Sequence, residues 1–86
     1  MITKQLTMIY DESTGFKTKC FKSWKELHIH LFEHGLYREF QVFDDGKPVL
    51  HYKEVFKDDV YRLNWNESVP GSVLFEIVNR HASAKL

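Results

Sequence analysis

The chain is 86 residues long, 43% hydrophobic, 15% aromatic and 28% charged, which leaves room for one core and excludes a second domain. Twelve Lys and Arg balance twelve Asp and Glu, so the positive excess of a dedicated DNA-binding domain is missing and nothing in the net charge opposes self-association. Seven Phe, four Tyr and two Trp exclude a disordered chain, and no apolar run approaches a membrane span.

Cys20 is the only cysteine, so neither an intrachain disulfide nor a cysteine zinc cluster can form. Met1 to Glu12 lacks the apolar stretch of a secretory leader. These features together lead to the expectation of a cytoplasmic protein, a single domain over residues 1–86 with a frayed end at 82–86.

Leu6, Met8 and Tyr10 alternate with Thr7, Ile9 and Asp11, the period-two pattern of a strand. Asp11 to Gly15 gathers turn formers, and Phe16, Thr18 and Cys20 then alternate with Lys17, Lys19 and Phe21. This predicts an amino-terminal hairpin whose second strand turns Phe16, Thr18 and Cys20 inward. Ser23 and Glu26 form an S-x-x-E capping box and Gly35 is a natural C-terminal stop, so the spacing predicts about three turns of helix between them. Trp24, Leu27, His28 and Leu31 share its apolar face, with Phe32 on the flank.

After Gly35 the period returns to two through Leu36 to Phe43. Asp45-Gly46 is a hairpin turn, Pro48 opens the returning strand, and Val49 to Val55 continues it. Lys57-Asp58-Asp59 is a further turn, and Tyr61, Leu63 and Trp65 alternate as a half-buried strand. Pro70-Gly71 signals a type II turn. The run Val73 to Val78 fits both strand and helix spacing; its β-branched content favours a strand. The predicted order is ββαββββ, with the last element the one that could instead be a helix. One central helix on an antiparallel or mixed sheet gives an α+β domain. The opening ββαβ resembles the element order of β-grasp, ubiquitin-like folds, a likeness that carries no function.

His30, Leu31, Phe32, Glu33 and His34 spell H-x-x-E-H, the zinc-peptidase pattern. His30 and His34 lie one turn apart on the same helical side, the placement two imidazoles need to share a zinc. His28 points about 160° away from His30, and no second predicted helix supplies the family's further acidic ligand. A His30–His34 metal pair is therefore retained only as an alternative, beside the simpler reading of a capped amphipathic helix. No nucleophile elbow, P-loop or dinucleotide glycine pattern is present, and no cofactor is expected.

Lys17, Lys19, Lys22 and Lys25 follow one another without an intervening acid, interleaved with Phe21 and Trp24. That composition suits a stacking, phosphate-facing surface and makes a nucleic-acid module the first alternative. The leading expectation is a non-enzymatic domain that binds another protein, with possible homo-oligomers. Phe21, Phe43, Tyr52 and Phe56 fall on the polar-rich registers of their strands and are the candidate anchors. The size suits an inhibitor or adaptor of the kind phage and other mobile elements direct at host or defence proteins.

Overall fold

The computed structural model describes residues 5–55 and 60–83. Among these residues five strands and two helices follow in order: β1 Leu6–Glu12, β2 Gly15–Phe21, α1 Trp24–His34, β3 Glu39–Asp44, β4 Lys47–Val55, β5 Val60–Trp65 and α2 Gly71–Ser83. The strands make one sheet, ordered β2-β1-β3-β4-β5, and every neighbouring pair is antiparallel. The protein is thus α+β. Its likeness in order to β-grasp domains ends with the opening ββαβ, after which two more antiparallel strands and a second helix follow.

Local chemistry accounts for most boundaries. The Ser23 hydroxyl accepts from the Glu26 amide at 3.2 Å, and the Glu26 carboxylate accepts from the Lys22 amide at 3.0 Å. At the far end Gly35 takes φ 94° and its amide donates to the Leu31 carbonyl, a conformation a side chain would strain. Asp45 and Gly46 both have positive φ, 53° and 79°. That pair matches the right-handed twist of β3 and β4 and closes their hairpin tightly.

Residues 73–78, whose β-branched content predicts a strand, belong instead to α2. The Pro70 carbonyl accepts from the Val73 and Leu74 amides, starting the helix. Val73, Ile77 and His81 then fall on one stripe and are all buried, at the i, i+4 and i+8 spacing of a helix face. Burying Val73 and Ile77 contributes about 1.5–3 kcal/mol each, more than the few tenths by which β-branched residues disfavour a helix. Tertiary burial therefore decides the element. The single central helix of the expected fold becomes a layer of two.

Residues directly opposite in an antiparallel pair point to the same side of the sheet. Leu6 and Met8 on β1, Phe40 and Val42 on β3, and Leu50 and Tyr52 on β4 share one side and are buried beneath the helices. α1 contributes Leu27 and Leu31 to that core, and α2 contributes Val73 and Ile77. The contacts His28–Glu76 and Phe32–Arg80 advance in the same sense along both helices, so α1 and α2 lie side by side and run the same way. No described element covers the other sheet face, where Ile9, Gln41, Phe43 and His51 are half-buried and Cys20, Lys53 and Asn64 are exposed. Neither helix is long and apolar enough to cross a membrane.

Two face assignments differ from the sequence reading. On β2, Phe21 sits opposite Leu6 and is 5% exposed, while Phe16 is 65% exposed and Cys20 is exposed. The expected inward set, Phe16, Thr18 and Cys20, therefore faces outward. β2 is an edge strand, so Lys17 and Lys19 reach solvent from the helix side, and their polarity did not mark the outer face. On β4 the register shifts between Val42 and Phe43: Val42 faces Leu50 while Phe43 faces Pro48. Val49 is the extra residue of this bulge, which re-aims the side chains around it and leaves Val49, Leu50 and Tyr52 all buried.

Candidate functional site

The five histidines occupy four separate settings. His30 and His34 do share one side of α1, with rings stacked at 5.5 Å. The Nε2 of His30, however, is 2.7 Å from the Tyr37 hydroxyl, and the Nδ1–H of His34 donates to the Gly35 carbonyl at 3.3 Å. Tyr37 continues the stack, 4.3 Å from His34 and 4.3 Å from Tyr10. Burial pushes the Tyr37 hydroxyl up to about 12, with Tyr10 and Glu12 adding to the effect. Burial also lowers His30 from its ordinary 6.5, helped by Lys19 and His34 and opposed by Glu33. The pair is thus a wall of a ring stack at the sheet edge. Among the described residues no three His, Cys, Asp or Glu side chains gather as a metal site would require.

His28 belongs to the seam between the helices. Its Nε2 is 3.1 Å from one carboxylate oxygen of Glu76, and Arg80 Nε donates to the other at 2.9 Å. Burial works against ionisation of Glu76, but the hydrogen bonds from His28 and Arg80 outweigh it and hold the carboxyl below its ordinary value. Arg80 also donates to the Phe32 carbonyl and lies over the Phe32 ring at 4.9 Å. His81 is buried at the opposite end of the sheet, with its Nδ1 3.0 Å from the Tyr52 hydroxyl and its ring 4.2 Å from Tyr61. His51 on the uncovered sheet face is held by Glu39 at 2.9 Å.

The expected partner anchors scatter. Phe21 and Tyr52 are core residues at 5% and 1% exposure, so neither is a surface anchor: the β2 edge and the β4 bulge turned them inward. Phe43 is half-buried on the uncovered sheet face, and Phe56 lies outside the described residues, as does the Lys57-Asp58-Asp59 turn. The lysines stay at the surface. Lys17 pairs with Glu12 across the first hairpin at 3.7 Å, Lys19 lies 5.9 Å from the Phe21 ring, and Lys22 and Lys25 are exposed around the start of α1. The aromatics that were to stack between them are not free, because Phe21 is buried and Trp24 is half-buried against the core.

Other exposed apolar groups escaped the sequence reading. Ile29 and Phe32 lie one turn apart on α1, and Phe75 and Val78 one turn apart on α2, and all four are exposed. Phe32 and Phe75 are the most open of these, at 60% and 68%. Phe32 carried a signal, since it sits at the flank of the apolar stripe. Phe75 and Val78 carried none while the segment was read as a strand. Comparison with protein-family models, curated proteins and solved structures finds no match.

Proposed function

We propose that this is a small binding domain without catalysis of its own, which acts by covering a surface of another protein and pairs with itself through the outer side of its helix layer. The observation that carries the reading is the exposure of Ile29, Phe32, Phe75 and Val78 on the two helices. A surface helix of a globular domain ordinarily turns charged and polar residues outward, and an exposed apolar patch marks an interaction surface. Phenylalanine and isoleucine are suited to the buried centre of an interface, with Glu33 and Lys25 available for its polar rim. The zero net charge adds no long-range repulsion between copies. An inhibitor or adaptor working in the cytoplasm is the form of this reading that the chain's size suits.

Sedimentation equilibrium over a wide concentration range tests it. The native chain is expected to pass from monomer to dimer, and Phe75→Glu to stay monomeric with its folding intact, because Phe75 is mostly in solvent within one copy. A native chain that remains monomeric at high micromolar concentration would overturn the self-pairing.

A further inference from the structure

We propose that the outer edge of β2 is a docking strand for an extended, acidic segment of a partner protein, which adds to the sheet beside Gly15–Phe21. The proposal rests on the reading of the chain as a binding domain but uses a different surface from the helix layer. β2 ends the sheet, so among the described residues no strand lies beside its outer rim. Its register with β1 is continuous from Phe21–Leu6 to Gly15–Glu12, without a bulge. It contains no proline, and six of its seven residues are exposed. A regular, open rim of this kind offers alternate amides and carbonyls to an incoming strand.

The side chains state which strand fits. Lys17 and Lys19 project on the helix side, opposite Tyr10 and Met8, and Phe16, Thr18 and Cys20 project on the other. A second copy of β2 is a poor partner. A two-fold pairing centred on Thr18 sets Lys17 against the other copy's Lys19, and centring on either lysine sets it against itself. Like charges directly opposite one another destabilise a strand pair. An acid–x–acid segment reverses the sign of both contacts, and an apolar residue between the acids meets the Phe16 and Thr18 side.

The charged and titratable groups around the rim agree with this choice. Lys19 has no ion-pair partner among the described residues, and the pairing of Lys17 with Glu12 is long at 3.7 Å and solvent-exposed, so an incoming carboxylate competes with it at little cost. On α1, His30 is close enough to Lys19 to feel its charge, along with those of His34 and Glu33. The opposite edge, β5, carries Arg62 and Val60 rather than a lysine pair, and Val60 follows residues outside the described set.

The test uses the full chain and a labelled synthetic peptide of alternating Glu and Val. Expected are binding by fluorescence anisotropy that weakens with salt, and amide NMR shifts concentrated at residues 15–21. N-methylation of alternate peptide amides should abolish binding to the native chain, a control that needs no protein variant. Lys17→Ala with Lys19→Ala should weaken binding about fivefold or more, from two opposite-charge pairs, and K17E with K19E should switch preference to a Lys–Val peptide. No binding at millimolar peptide, equal binding of the Lys–Val peptide to the native chain, or shifts elsewhere would each overturn the proposal. So would a single-stranded oligonucleotide that binds the same lysines in place of the peptide. Loss of peptide binding with dimerisation intact would sink this inference alone; the reverse would sink the helix-layer pairing alone.

Discussion

Tyr52→Phe removes one oxygen from the centre of the molecule and tests the placement of α2. Tyr52 is 1% exposed, and its hydroxyl is 3.0 Å from Nδ1 of His81, itself 8% exposed. Deleting the hydroxyl leaves a buried imidazole nitrogen with no partner, at a cost of about 1–3 kcal/mol. The ring stays, so no cavity larger than the oxygen opens. A loss of about 2 kcal/mol is a large share of the roughly 4–13 kcal/mol expected for a domain of this length. It should lower Tm by about 8–16 °C. Replacing both partners, Tyr52→Phe with His81→Leu, removes donor and acceptor together and should cost less than the two single changes added. The coupling expected from a double-mutant cycle read by urea unfolding is about 1 kcal/mol or more. Residues 52 and 81 meet only because residues 71–83 coil into a helix over the sheet. Strictly additive losses, or a Tyr52→Phe cost below about 0.5 kcal/mol, which is the level of an ordinary surface change, would refute that contact and the helix placement with it.

Two further outcomes concern pH. Burial, aided by nearby Tyr10 and Glu12 for Tyr37 and by Glu54 and Tyr61 for Tyr52, raises both hydroxyls from 10.0 to about 12. The folded state prefers the protonated phenols, so their contribution to stability is complete below pH 10.0 and is lost as pH rises towards 12. Alkaline unfolding should coincide with ionisation of these tyrosines by ultraviolet absorbance, and all four tyrosines titrating together near the free value while the chain stays folded would contradict it. His30 has the opposite sense: its folded value lies below 6.5, so its contribution is present above that pH and is lost as pH falls through the folded value. Histidine NMR titration should find His30 below 6.5 and Lys19→Gln should move it upward; a His30 value at or above 6.5 in the native chain would remove the burial argument.

Local signals located the lysines of β2 and the start of α1 but not the exposed apolar residues of the helix layer, and alternation misplaced two of the expected anchors. The lysines were found because a run of like charges remains at the surface whichever way its strand faces. Phe21 and Tyr52 were misplaced because a strand's faces were assigned from alternation alone. Alternation fails at an edge strand, where a lysine on the covered side can still reach water, and at a bulge, where one extra residue shifts the phase. Phe75 and Val78 became visible only once their segment was helical.

Elements governed by neighbours in sequence were determined by the sequence itself: the capped start of α1 at Ser23 and Glu26, its stop at Gly35, the Asp45-Gly46 turn, the alternation of β1, and the α+β class that follows. These depend on hydrogen bonds and dihedral preferences within a few residues. The conformation of residues 71–83, the faces of β2 and β4, and the pairing of two helices on one side of the sheet were decided by tertiary structure. Each depends on which distant surface a side chain can bury against, as Ile77 does within the core and His81 does against Tyr52. Burial of that size outweighs the few tenths of a kcal/mol per residue that separate local preferences.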